Sequence, residues 1–315
     1  MDSAAAVSFD ANGTIGAYQI GVLISYVLLG VTTTQTYIYY SRFPEDPAIL
    51  KALVAFVWVC EVAHAICIAH ALYQFTILDF GNPERLFSRL PISLDVAIFF
   101  SALIEQSVLG FFSFRIYTLS KKLYVPILIV LVTSVRLLGS MVTFVVTLRL
   151  PSLQSYTAHW GWLSIAQWCA GVFNDVLTTA ALVVLLYNQR TSAQRRTVAL
   201  VDKIIVWTIE TGMLTSASAI FMMIFYLTMK ERMIWLAAFV VAARMYSNSL
   251  LASLNSREAL RSMKTTQVSL QSLASRPGIE ILQTTTTNAV VDITAKFPSQ
   301  PQSFQGAAST KNADV

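Results

Sequence analysis

Charged residues are scarce in this 315-residue sequence. Asp, Glu, Lys and Arg together make up 12%, about half the share of a soluble domain, against 55% hydrophobic residues. That shortage excludes an ordinary water-soluble fold. Cysteine is sparse too: Cys60, Cys67 and Cys169 all fall in apolar stretches, so no loop offers a disulfide pair. The only histidines are His64, His70 and His159, and His159 lies between stretches, so a multi-histidine catalytic zinc site cannot be assembled. Proline is absent from the interior of every apolar stretch. Pro44, Pro47, Pro83, Pro91 and Pro151 lie between stretches, and Pro126 opens one, where its missing N–H costs nothing. Unbroken helices satisfy their own backbone groups in lipid, so no unwound segment is expected.

What the sequence has instead is seven apolar runs, at approximately 15–40, 49–78, 93–119, 126–148, 161–187, 201–227 and 233–254. About 20 residues of helix cross the hydrocarbon core. The predicted fold class is therefore all-α: a polytopic membrane protein built as a seven-transmembrane-helix bundle. Residues 1–14 carry Asp2 and Asp10 but no basic cluster, which argues against a cleaved signal peptide and for a first run that stays as a spanning helix. Residues 15–256 form the transmembrane domain, and 257–315 form a Ser/Thr-rich tail expected to be mostly disordered. Within the tail, Arg257 to Leu273 has the pattern of a short amphipathic helix on the inner leaflet.

Basic residues near the helix ends set the orientation. One side carries Arg42, Lys51, Arg115, Lys121, Lys122, Arg190, Arg195, Arg196, Lys203, Arg257, Arg261 and Lys264; the other carries Arg85, Arg89, Arg149, Lys230 and Arg232. Twelve against five predicts an outside N-terminus and a cytoplasmic C-terminus. Asn12-Gly13-Thr14 is then a candidate N-glycosylation sequon on the outer side. The same distribution explains the net charge of +5 without nucleic acid as a partner. The expected partners are the lipid bilayer, a small-molecule ligand and a cytoplasmic protein reached through the tail. The expected location is the plasma membrane or an endomembrane.

Six runs carry an ionisable residue near the middle: Glu61, Glu105, Arg136, Asp175, Glu210 and Arg244, with Glu61 and Glu210 slightly farther from the centre. A charge at that depth costs roughly 2.5–3.5 kcal/mol on insertion scales, so these side chains should face the bundle interior. Four acids against two arginines leave a formal −2, with His64 counted neutral. Protonated carboxyls, a cation or a basic ligand would balance it. Two readings stay open: a proton, cation or ligand site, or polar residues that only fix helix packing. Arg244, Asn248 and Asn255 fall within about 40° on the seventh helix, and Gln167, Gly171, Asn174 and Thr178 share a stripe on the fifth. Cys60, His64 and Cys67 share a face of the second helix but lack the four ligands of a zinc site; packing explains them better. No metal or other cofactor and no catalytic constellation is expected.

Three motifs carry a resemblance: Phe80-Gly81-Asn82-Pro83, Glu210-Thr211-Gly212, and Tyr246-Ser247-Asn248-Ser249-Leu250-Leu251-Ala252-Ser253-Leu254-Asn255. Together they resemble a group of mushroom-type fungal (basidiomycete) seven-helix membrane proteins classed as a domain of unknown function. The resemblance implies a multi-pass membrane protein and transfers no activity. Microbial rhodopsins fit poorly, because the last run has Arg244 and no lysine. The large G-protein-coupled receptor class fits poorly too, since the third run ends Phe114-Arg115-Ile116-Tyr117 and the seventh lacks proline. The architecture points first to a receptor or sensor, then to a proton-coupled small-solute transporter, then to a scaffold without a ligand.

Overall fold

The computed structural model describes residues 10–274, except 81, 83–84, 86–89, 151, 193–194 and 230–231. Several features of the sequence reading fall wholly or partly outside that range: Asp2, the tail beyond Ala274, Gly81 and Pro83 of the first motif, Pro151, and Arg89 and Lys230 of the basic-residue count. Among the described residues, seven helices are long and apolar enough to cross a membrane, spanning Asn12–Arg42, Ala48–Leu78, Ile92–Ser120, Tyr124–Arg149, Gly161–Arg190, Val201–Thr228 and Ile234–Arg257. The chain is an all-α, multi-pass integral membrane protein.

The helices are α1 (Ala17–Arg42), α2 (Ala48–Tyr73), α3 (Ile92–Ser120), α4 (Tyr124–Arg149), α5 (Gly161–Ser192), α6 (Arg195–Thr228) and α7 (Ile234–Ala274). A π-helical turn, Asn12–Gly16, leads into α1, and another, Gln74–Leu78, extends α2. Prolines punctuate as the sequence suggests, with Pro47 and Pro91 capping α2 and α3 in extended conformation. Lys121 closes α3 at a left-handed φ of 56°, its N–H donating to Tyr117 O at 2.8 Å. A short connecting helix, Leu153–His159, is capped by Ser152, whose hydroxyl accepts from the Ser155 N–H at 3.1 Å.

One difference from the sequence reading concerns α7. The helix does not end near Leu254 before a separate amphipathic segment; it runs on to Ala274. No Gly or Pro interrupts Leu254 to Ala274, and the first helix breakers are Pro277-Gly278. Residues through Arg261 belong to one compact unit, and Ser262–Ala274 is the described, helical part of a second.

Sequence neighbours pack against one another from α1 through α6, as short connections require, and α3 also meets α5. In the window that defines each span, 56% of α7 is buried, against 22–39% for the others, so α7 is the central helix. It runs parallel to α1. Asn248 and Asn255 donate to Leu28 O and Gln35 O at 3.4 and 2.8 Å, seven residues apart on both helices. Gly21 permits the approach: a Cβ there would lie 2.7 Å from Ala237 Cα.

The face with the N-terminal end of α1 is here termed the N-face, and the opposite one the C-face. An apolar cluster containing Tyr18, Ile68, Phe75, Leu94, Met233 and Val240 fills the N-face half. Another, with Tyr39, Val57, Ile116, Leu250 and Leu254, fills the C-face half. The periphery is apolar too: Leu131, Val135, Leu138 and Val142 of α4 form an exposed stripe at helical spacing, suited to lipid.

Candidate functional site

Between the two apolar clusters lies a polar layer that contains two ion pairs of different character. The first is sealed. Arg244 of α7 is ion-paired with Glu61 of α2, and both side chains are 0% exposed. The Arg244 guanidinium also donates to Ser25 Oγ and to Glu61 O, each at 2.9 Å. Ser247 donates to Glu61 Oε1 at 2.5 Å, and Asn248 Nδ2 donates to Arg244 O at 2.8 Å. Such a site holds three helices in register. His64, one turn from Glu61, is fully buried with its ring 6.3 Å from Phe239, and its ring nitrogens have no hydrogen-bond partner among the described residues.

The second pair is open. Glu105 of α3 and Arg136 of α4 are ion-paired, each 14% exposed. Both line a cavity of about 120 Å³ that extends toward the N-face between α3, α4, α5, α6 and α7. The room is comparable to an engineered apolar cavity of about 150 Å³ that takes a benzene ring. Its polar wall is a connected chain: Ser140 donates to Gln167 Oε1 at 3.0 Å, and Gln167 Nε2 donates to Thr143 Oγ1 at 3.3 Å. Tyr156 and Ser164 share a hydrogen bond of 2.8 Å. Its aromatic wall holds Trp168 and Trp235, packed edge-on around Tyr226 at 5.0 and 5.5 Å between ring centroids. Gly171 of α5 makes room for the Arg136 guanidinium, since a Cβ there would lie 2.8 Å from a terminal nitrogen.

Asp175 of α5 is 3% exposed and accepts from the Tyr246 hydroxyl at 2.9 Å. Tyr246 borders the large cavity and also a smaller one of about 50 Å³ on its C-face side, which Asp175 lines. The Tyr246–Asp175 contact therefore stands between two cavities.

The sequence reading placed Glu210 in this layer, and the structure corrects that. Glu210 is exposed on the outside of α6. The inward stripe of α6 is Ile204, Trp207, Thr208, Thr211 and Thr215, and at 100° per residue Glu210 lies about 120° from its centre. The formal excess changes accordingly. Glu61 and Glu105 have arginine partners, Glu210 has left the layer, and Asp175 is held by a hydroxyl. Asp95, 2% exposed in the first turn of α3, was not in the count at all. Sequence reasoning also missed Tyr246, although it stands in the longest motif, because a neutral tyrosine gives no charge signal inside an apolar run. Arg115 is not among the sequence-predicted site residues, yet it lines the smaller cavity. Cys60, Cys67 and Cys169 are free thiols, and among the described residues no three His, Cys, Asp or Glu side chains come together as a metal site. Asn12 is exposed, while Thr14 of its sequon is buried and donates to Asp10 O at 2.7 Å.

No curated protein and no solved structure matches the chain. Residues 171–259, from Gly171 of α5 to just past Arg257 of α7, match a family of unknown function (DUF6534). That stretch holds Asp175, Arg244, Tyr246 and Asn248, but not Glu61, Glu105 or Arg136, so the chain is similar from within α5 through the spanning parts of α6 and α7 to a family without an assigned activity.

Proposed function

We propose that the protein is a receptor or sensor that binds a small polar molecule in the cavity beside Glu105 and Arg136. The observation that carries this reading is the contrast between the two ion pairs. A pair at 0% exposure serves packing, whereas a pair at 14% exposure that faces a cavity can exchange its partner for a ligand's charge. The chemistry of the walls suits a molecule with one flat apolar part, against Trp168 and Trp235, and a charged or zwitterionic end against Glu105 and Arg136. The basic-residue count supports an N-out orientation, which would open this cavity to the outside and send the Ser/Thr-rich tail to cytoplasmic partners.

Mass spectrometry of small molecules that copurify with the full-length protein tests this directly. A recurrent molecule should be lost with Glu105→Gln and Arg136→Gln and retained with a substitution on the lipid-facing stripe such as Leu138→Ala. Equal retention in all variants would refute the binding site.

The position of Tyr246 favours a second reading, a proton-coupled small-solute transporter. Its hydroxyl joins Asp175 where the two cavities meet, so breaking that contact would connect them. In that case Asp175→Asn abolishes pH-dependent uptake in proteoliposomes; in the receptor case no uptake exists to be lost.

A further inference from the structure

The smaller cavity contains an arginine that the rest of the polar layer does not use. Arg136, Arg190, Arg232, Arg244 and Arg257 each face a carboxylate. Arg115, near the C-face end of α3, does not: among the described residues its side-chain contact is a 2.8 Å donation to Ser253 Oγ of α7. Ser253 accepts there and keeps its own O–H for another acceptor. Thr178 of α5 lines the same cavity, is 4% exposed, and its hydroxyl has no partner among the described residues. A guanidinium with no carboxylate partner among the described residues and two hydroxyls, from three helices, thus converge on one space.

Asp175 lines the other end of this cavity, where the Tyr246 hydroxyl covers it. Seven residues of α7 separate Tyr246 from Ser253, which is about 10 Å at ~1.5 Å per residue, so the carboxylate and the guanidinium occupy opposite ends. The volume, about 50 Å³, is roughly a third of a benzene-sized cavity, so it suits a small compact group rather than an extended ligand. Arginine presents a planar fork that matches phosphate oxygens, and hydroxyls supply the remaining donors.

The geometry points to an oxyanion site at the C-face end of the bundle, in which Arg115, Ser253 and Thr178 bind a phosphate group. That group is either free phosphate or the headgroup of an anionic lipid. The site is separate from the Glu105–Arg136 cavity and does not depend on the ligand proposed there.

The test uses the full-length protein in a detergent without phosphate. Binding of inorganic phosphate is read from ³¹P line broadening, and retention of phosphatidic acid from native mass spectrometry. Wild type should bind at least one of the two, and Arg115→Gln should weaken binding about tenfold or more, the scale of a lost charge-assisted hydrogen bond. Arg190→Gln, which breaks a pair outside the cavity, should leave binding unchanged. Phosphate binding that depends on Arg115 identifies a soluble anion; phosphatidic acid retention alone, with the same dependence, identifies a lipid headgroup. If Arg115→Gln fails to fold, Ser253→Ala and Thr178→Val keep the cation and should each weaken binding about two- to fivefold. Binding of neither probe, or binding indifferent to these substitutions, overturns the assignment.

Discussion

Substituting Arg244 by methionine would take the cation out of a site with 0% exposure and leave the Glu61 carboxylate there without its counter-charge. Ser25 Oγ and Glu61 O would lose their donor at the same time. Breaking a buried pair from one side costs about 3–5 kcal/mol, most of it the penalty of the stranded charge. The paired change Glu61→Met with Arg244→Met removes that charge and should recover most of the loss. Arg136→Met strands Glu105 beside a cavity of about 120 Å³ that can admit water, so its cost should be about half as large or less. The measurement is a double-mutant cycle on each pair, with unfolding followed in lipid nanodiscs by tryptophan emission. The expected coupling energy is several kcal/mol for Glu61–Arg244 and about 1 kcal/mol for Glu105–Arg136. Equal couplings, or a larger one at the open pair, would refute the distinction between a structural and an exchangeable pair.

Glycine substitutions give an internally controlled check on the open site. Gly171→Ala places a Cβ 2.8 Å from the Arg136 guanidinium and should lower affinity for the copurifying ligand severalfold, whereas Gly30→Ala, with nothing within 4 Å, should leave affinity unchanged. Equal effects at the two positions would argue against a close fit at Gly171. For orientation, a cysteine introduced at Asn12 in a Cys-free background should react with an impermeant maleimide added outside intact cells, and one at Arg261 should react only after permeabilisation. The reverse pattern would invert the proposed topology.

The spanning helices were legible because hydrocarbon imposes a one-dimensional rule. A run of apolar residues long enough to cross it, without an internal proline, has no alternative to helix, and α1 to α7 follow that rule. The inward stripes of α5 and α7 were legible for a related reason. Polar residues such as Asn174 and Arg244 recur at helical spacing, and both are 0% exposed. Glu210 shows where depth alone is not enough: a charge inside a span suggests an inward face, but the polar stripe of its own helix, running through Thr208, Thr211 and Thr215, lies on another side. The wheel was in the sequence and outweighed the single charge.

Sequence by itself determined that this is a seven-helix membrane protein with a polar middle, because helix formation in lipid depends on local composition. Only the tertiary structure decided which acid meets which arginine. Glu61 and Arg244 are 183 residues apart, and Glu105 and Arg136 stand on different helices, so their pairing depends on how α2 meets α7 and α3 meets α4. The same packing seals one pair and opens the other to a cavity. Among the described residues it also leaves Arg115 without a carboxylate, since no short-range pattern records which helices close around a residue.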